Sequence, residues 1–454
     1  MKRPKIYQLV NRLPSLEELY QLSNSTECAV FGPNRGFIKA VQIADTMYQL
    51  PASWGADTVE QAHGIKARAI SAGLTGRTSG GAAASLIRSE DLTGKQAYQL
   101  PTRYREMSSD YHVGPMGMCR HEVSDCTLYD IRKAYLWALS MPLPVRETYR
   151  ALSPDTVTAM AAIEDDRMGG FIDCTVCVPD NGMTIGPLPV RRKIGSKSSR
   201  FKRTVPVWPV GTFRGTWPIS LVRNAVQSHG VAIVSVNQLV TCHVSRWGLR
   251  LYDTLSGLVS NDPVLGKAIY TSLWSRFTPS VWYTGQVLPN GIKWNKPSLK
   301  YKLSNKIHPR RMIMRPDVSA YISAYNIRTM VNALNSLDRT TVAGWHVDSI
   351  HTSSQVVTGS RYGDFKAELT GDVYYDRTGS YAYTDSNGEI IKETGGSLFG
   401  SPLFRYSSRR FYDTDVVTYT TSEPLLLTEA STVTDIDKSI YAGHWTSKGW
   451  YRAD

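Results

Sequence analysis

Two carboxylates stand where the chain could do chemistry. Asp130 closes an apolar stretch, Thr127-Leu128-Tyr129-Asp130-Ile131, that reads as a strand, and Tyr135 follows shortly after it. Asp348 sits at a turn between two short strand-like runs within Val342 to Thr352, bounded by Trp345 and Ile350. Taken singly, a strand-end aspartate is as well read as a helix cap or a turn former. Taken together, two acids on adjacent strand ends could share a pair of Mg²⁺ ions, hard cations that prefer oxygen ligands and retain waters. Such a pair activates an attacking hydroxyl and stabilises a leaving phosphate oxygen.

The elements around these acids must bring them together. Arg132 to Leu139 reads as a helix behind the Asp130 strand, and Phe171–Val178 and Val231–Val240 read as strands, with Leu221 to His229 a helix between them. Asn261-Asp262-Pro263 offers a capping side chain ahead of a proline at the first turn, which predicts a helix from Pro263 to Phe277. Lys267, Thr271 and Trp274 share one face of that helix at helical spacing. Asn290-Gly291 predicts a hairpin turn. Asp317 is placed to cap a helix from Val318 to about Leu337, whose apolar face is Ile327, Met330, Val331 and Leu334. The Pro-rich, basic run from Gly186 to Pro209 predicts a loop, and Tyr-rich strands are expected beyond Gly359.

Charge distribution points the same way as the acid pair. Net charge is +13, but between Asn181 and Pro316 the only acids are Asp253 and Asp262, against 21 Lys and Arg, so that stretch carries +19 and the remainder −6. A basic middle suits a polyanion groove, because each phosphate contact releases counterions. A solvated basic face is the plainer alternative. Trp208, Trp217, Trp247, Trp274, Trp282, Tyr283 and Trp294 are interleaved with these cations, as base stacking would want.

Length and composition exclude much else. With 454 residues, 42% hydrophobic and 20% charged, the chain is globular and long enough for two to four packed units. It holds no apolar run of membrane-spanning length and no signal-peptide-like start, so a cytoplasmic protein with no membrane partner is expected. Six scattered cysteines make no disulfide framework. Cys174 and Cys177 lie in a strand, where residues three apart point to opposite faces, which argues against a metal knuckle. Cys119, His121 and Cys126 lack a second pair at zinc-ligand spacing, so ordinary burial is expected for them.

The segment Tyr129-Asp130-Ile131-Arg132-Lys133-Ala134-Tyr135 resembles motif A of the family-B DNA polymerases, an Asp with a Tyr shortly after it. Lys267-Ala268-Ile269-Tyr270-Thr271-Ser272-Leu273-Trp274-Ser275 is similar to their motif B, and His346-Val347-Asp348-Ser349-Ile350-His351 to motif C. Order and spacing agree with the protein-primed branch of bacteriophages and linear replicons. Tyr111-His112-Val113-Gly114 is similar to the Tyr-x-Gly-Gly loop before motif A, and Gly186 to Arg191 and Pro209 to Trp217 to segments after it. The resemblance covers about residues 105–395.

That resemblance implies an α+β right-hand fold: a palm of antiparallel sheet and helices, helical fingers and a small thumb. It divides the chain into an N-terminal domain at 1–108, palm with motif A at 109–142, a basic connector like a terminal-protein region at 143–240, and fingers at 241–281. A basic hairpin insertion at 282–311, palm with motif C at 312–398 and thumb at 399–454 complete it. Asp130 and Asp348, with the backbone carbonyl of Ile131, are implied as ligands of two Mg²⁺ or Mn²⁺ ions. Lys267, Tyr135, Thr271 and Trp274 are implied to bind the incoming deoxynucleoside triphosphate, Tyr135 excluding a 2′-hydroxyl. Tyr111, Gly114, Tyr381, Lys293, Lys296, Arg310 and Arg311 are implied to contact the DNA primer-template. A terminal protein is implied as a further partner.

The sequence also departs from the pattern. His346 stands where motif C usually has a second Asp, and Thr271, Trp274 and Ser275 replace the usual Asn, Tyr and Gly of motif B. Gly379-Ser380-Tyr381 keeps the Tyr of a Lys-x-Tyr element and loses its Lys. No N-terminal Asp-x-Glu exonuclease signature precedes motif A, so no proofreading is expected. Two other readings stay open: a polymerase-like nucleic-acid-binding protein without catalysis, and a primase or template-independent transferase.

Overall fold

The computed structural model describes residues 6–22, 27–31, 40–89, 104, 107–108, 116–118, 122–194, 203–277, 283–288, 291–294, 313, 315–377, 380–394, 443–446 and 449–452. The chain forms two compact units, one from residues 1–101 and 247–319 and one from residues 102–246 and 320–454. Among the described residues no helix is long and apolar enough to cross a membrane.

In the first unit, segments far apart in sequence share one sheet. Its six strands run in the order Ile6–Leu9, Thr46–Gln49, Ala40–Ile43, Glu27–Phe31, Tyr283–Leu288, Gly291–Trp294. Leu19, Val41, Ile43 and Val287 form a small core on it. The last two strands pair antiparallel as a hairpin, but Gly291 stands opposite Leu288 as the first residue of its strand and not in the turn where the Asn290-Gly291 reading puts it. The Gly/Ala/Ser/Thr-rich stretch near Ser71 to Ser85 has a packing reason: Ser79–Ser89 is a helix whose Gly80, Ala82 and Ala83 are buried. The Arg276 guanidinium lies where a Cβ on Gly80 would stand, so glycine there lets the arginine pack against the helix backbone. Ser79 Oγ lies 2.7 Å from Ser272 Oγ on the helix Pro263–Phe277.

That helix has the predicted bounds, and Asp262 Oδ1 caps it by accepting from the Leu265 amide at 2.9 Å. The expected cap at Asp317 is corrected. The helix runs Pro316–Leu334, and Asp317 is its second residue. Its carboxylate accepts from Nε and Nη2 of Arg315 at 2.9 and 2.8 Å, with both side chains fully buried. A buried guanidinium needs an ionised partner more than a helix end needs a cap. Ile327, Met330, Val331 and Leu334 are fully buried, as their spacing predicts.

The second unit is built on a seven-stranded sheet in the order Ile390–Thr394, Ser380–Thr384, Phe365–Arg377, Glu122–Ile131, Ser349–Thr352, Val342–His346, Met116–Met118. All its pairings are antiparallel. Cys126, Leu128, Ala343, Val373, Tyr375, Tyr381 and Tyr383 make its core cluster. Along the strand Glu122–Ile131 the period of two puts Cys126, Leu128 and Asp130 on one face, so Asp130 ends the core-facing row. Cys126 is packed beside the Tyr383 hydroxyl and its thiol is pushed up to about 12 by burial, which bears out ordinary burial for it; Cys119 and His121 lie outside the described residues.

A second sheet in this unit joins Gly211–Pro218, Met168–Val178 and Ala232–Ser245, with Arg150–Leu152 and Leu143–Pro144 along the last. Cys174 is buried and Cys177 half-buried on opposite faces of Met168–Val178. The basic run expected to be a loop contains a hairpin, Val190–Ile194 with Arg203–Val207, and its flanks are core: Leu188 and Val210 are buried. Trp208 and Trp217 are 3% and 0% exposed, and Trp217 Nε1 donates to the Pro189 carbonyl at 2.7 Å. These two rings are structural and not available for base stacking: Trp217 packs edge-on to Phe213 on the strand Gly211–Pro218, and Trp208, outside any strand, packs edge-on to Trp345. Trp247 stacks under the Arg315 guanidinium, 5.7 Å from its centroid.

Candidate active site

The Asp130 strand does not continue directly into its helix. Arg132 N donates to the Asp364 carbonyl and Gly363 N to the Arg132 carbonyl, at 2.8 and 2.9 Å, so residue 132 is held like strand. Lys133 then adopts a left-handed conformation, φ 51°, and the helix begins at Ala134, two residues later than its sequence predicts. This sharp exit leaves Asp130 at a strand end with Tyr135 in the first turn of the helix beyond.

Asp348 arrives from the other side. Val342–His346 and Ser349–Thr352 form the two predicted strands, His346 pairing with Ser349 across a turn whose central residues are Val347 and Asp348. Val347 has φ 60°, a conformation that a β-branched side chain seldom takes. The turn is closed by the His346 carbonyl, which accepts from Asp348 N at 2.8 Å and from Ser349 Oγ at 2.9 Å. Ser349 stands directly opposite Asp130 in the sheet, and Ile131 N donates to the Asp348 carbonyl at 2.8 Å. The two acids are thereby neighbours across one strand pair.

Their electrostatics record the closeness. The Asp348 carboxyl is pushed up to about 7, by burial first and then by the charge of Asp130. Asp130 is pushed up to about 6 by burial and by Glu368, with Lys366 and Lys392 working against this. The Tyr135 phenol, in the first helical turn beyond Asp130, is raised by burial and by the Asp348 charge. Two carboxyls that resist ionising side by side accept a multivalent cation readily. Among the described residues no group of three His, Cys, Asp or Glu could cage a metal. Two carboxylates with open positions fit Mg²⁺ better than a caged ion, since Mg²⁺ keeps waters and substrate phosphate oxygens beside one or two protein ligands.

The sequence reading missed the neighbours on Phe365–Arg377. Lys366 stands opposite Asp130 in the sheet, with Nζ 3.6 Å from Oδ2. Lys366 Nζ also donates to Glu368 Oε1 at 2.5 Å, and Lys392 Nζ to Glu368 Oε2 at 3.1 Å. Glu368 is the extra residue of a β-bulge between Ala367 and Leu369, a distortion that re-aims a side chain. Although partial burial opposes its charge, the two lysines hold the Glu368 carboxyl below its ordinary range. Only the strand register and the bulge bring these groups to Asp130, and neither has a local sequence signal.

His346, in place of an expected acid, is half-buried and held below its ordinary range by burial and by Lys392. Its ring packs edge-on to Tyr381, with centroids 5.9 Å apart, and Tyr381 packs on buried His351 at 4.4 Å. Tyr381 is 3% exposed, a core residue that supports His346. Lys267, Thr271 and Trp274 belong to the other unit. There Lys267 and Thr271 are exposed, and Trp274 is half-buried with Nε1 donating to the Ser319 carbonyl at 3.2 Å. Lys293 is exposed on Gly291–Trp294. Tyr111, Gly114, Lys296, Arg310 and Arg311 lie outside the described residues, as does most of the segment 399–454.

No protein-family model matches the chain, and no curated protein matches it. Solved structures do. Phi29 DNA polymerase complexed with primer-template DNA and incoming nucleotide substrates matches with a TM-score of 0.53 and 13% identity, over 85% of this chain and 80% of that one. The same polymerase in its post-translocation binary complex gives 0.54 and 12%, over 84% and 78%. For its orthorhombic crystal form the values are 0.52 and 12%, and the chain spans 65% of that chain's length with 77% of its own. At such identities the likeness is one of fold, and the mixed helices and antiparallel sheets of this chain have the right-hand architecture of a DNA polymerase.

Proposed function

We propose that this chain is a template-directed DNA polymerase that joins deoxynucleotides to a 3′-hydroxyl at Asp130 and Asp348. The seven-stranded sheet is then the palm, and the helix Pro263–Phe277 belongs to the fingers. The observation that supports the reading is the strand register that sets Ser349 opposite Asp130 and bonds Ile131 N to the Asp348 carbonyl, so that two acids stand at adjacent strand ends.

In the reaction a bond forms between the primer 3′-oxygen and the α-phosphorus, and the bond to the bridging oxygen breaks, releasing pyrophosphate. Two divalent ions, Mg²⁺ or Mn²⁺, would ease loss of the hydroxyl proton and neutralise charge on the leaving oxygens. Asp130 and Asp348, with the Ile131 carbonyl, would hold those ions. Tyr135, in the first helical turn beyond Asp130, forms a floor under the sugar. Lys267 offers a point charge to the triphosphate, and Thr271 and Trp274 share its helix face. The basic middle of the chain, Lys293, Lys296, Arg310 and Arg311 included, takes the template and primer phosphates. Tyr111, Gly114 and Tyr381 act at the primer end, Tyr381 through His346. Priming from a terminal protein and absence of proofreading belong to the same proposal.

His346 in place of an acid, and the lysines set against Asp130, favour a second reading, a polymerase-like protein that binds nucleic acid without catalysis. Primer extension with Mg²⁺ or Mn²⁺ separates the two. The wild type should extend, and Asp130→Ala and Asp348→Ala should be at least about a thousandfold slower. If all three are inert yet bind DNA, the binding reading stands. Digestion of a labelled single strand by the purified protein would refute the absence of proofreading.

A further inference from the structure

Lys366 has two carboxylates to choose between. Its ammonium lies 3.6 Å from Asp130 Oδ2 and 2.5 Å from Glu368 Oε1, while the other Glu368 oxygen is taken by Lys392 at 3.1 Å. All four side chains are between 24% and 32% exposed, so the row is neither a solvated surface pair nor a sealed core. The bulge at Glu368 is what places its carboxylate within reach of both lysines. Asp130, Asp348 and Glu368 against Lys366 and Lys392 leave a net charge of −1 when all are ionised, where the acids alone would carry −3.

We propose that Lys366 is the resident cation of the acid pair: in the free protein its ammonium, held on Glu368, stands 3.6 Å from Asp130 on the approach that a divalent ion would take, and Glu368 retains it when the ion enters. The inference rests on the metal-site reading given above. A like charge within a few ångströms weakens divalent binding, so the free site loads metal poorly. An anionic triphosphate arriving with the ion offsets the lysine, and loading becomes tied to nucleotide. Glu368 keeps Lys366 paired after displacement, so the lysine is never left without a counter-charge.

The test is Mn²⁺ binding without primer or template, followed through the electron paramagnetic resonance signal of free Mn²⁺. Lys366→Met and Lys366→Gln should each bind Mn²⁺ about tenfold more tightly than wild type, the factor a unit charge near a divalent ion is worth even when largely screened by water. Lys366→Arg, which keeps the charge, should bind like wild type, and adding dATP should tighten wild type more than Lys366→Met. Equal or weaker Mn²⁺ binding by the folded Met and Gln variants would overturn the proposal while the acid pair stood. If Asp130→Asn and Asp348→Asn bind Mn²⁺ as wild type does, the metal-site reading itself fails, and this inference with it.

Discussion

Ile131 N donates to the Asp348 carbonyl at 2.8 Å, which ties the residue after one acid to the backbone of the other. The spacing of Asp130 and Asp348 is therefore set by a strand-to-strand hydrogen bond and not by flexible side chains. Because Ser349 pairs with Asp130, a slip of one residue would turn Asp130 or its partner to the opposite face. The site is as rigid as the sheet.

Rigidity makes the acid pair a cost to the metal-free protein. Asp130 and Asp348 have folded-state values of about 6 and about 7, above the ordinary aspartate value. Between about pH 4 and pH 7 the folded state therefore binds more protons than the unfolded state, and stability falls as pH rises, by on the order of several kcal/mol. Thermal unfolding in chelator across this range should show the fall. Asp348→Asn should be more stable than wild type at neutral pH and should flatten the slope. A wild-type curve no steeper than that of the variant would refute the coupling.

Tyr135 lies in the first turn of its helix, where burial and the Asp348 charge raise its phenol. Tyr135→Val removes the ring and should raise ribonucleotide incorporation relative to deoxynucleotide by tenfold or more, roughly what one lost steric contact is worth in discrimination. Competition between the two substrates in primer extension measures it, and unchanged sugar discrimination removes the tyrosine from the gate.

Val347 should be the strained residue of the Asp348 turn. Its φ of 60° is one that glycine takes freely at the first central position of a two-residue hairpin. Val347→Gly is expected to stabilise the fold by about 1 kcal/mol, the relief of strain exceeding the added unfolded-state entropy. Val347→Ala keeps the Cβ and should give no gain. Chemical denaturation of the three proteins decides, and a destabilised glycine variant would show the turn to be unstrained.

Arg315 and Asp317 are both fully buried and bonded to each other. Asp317→Ala removes the carboxylate that this buried guanidinium is bonded to and should cost about 3–5 kcal/mol, whereas replacing both by methionine should cost much less. Equal losses in denaturant midpoint for the two variants would mean that the pair contributes only packing.

Some of this was written locally in the chain. The capped helix Pro263–Phe277, the buried row from Ile327 to Leu334, the hairpin around Asp348 and the Asp130 strand all follow from periodicity and turn chemistry over a few residues. Those signals are strong because they depend on neighbours no more than a turn or two away. They located both acids of the candidate site and Tyr135.

What the tertiary structure decided is which distant groups meet. Segments 1–101 and 247–319 share a sheet because Glu27–Phe31 pairs with Tyr283–Leu288, a choice no local pattern encodes. Trp208 and Trp217 read as stacking aromatics beside basic residues and are core, since Trp208 packs on Trp345 and Trp217 on Phe213, contacts that the neighbouring charge does not foretell. Asp317 reads as a cap and is the counter-ion of Arg315, because burial of a cation outweighs an exposed helix end. Lys366, Glu368 and Lys392 carry no motif at all. Register and a single bulge set them around Asp130, and long-range strand pairing is won or lost on the packing of the whole sheet.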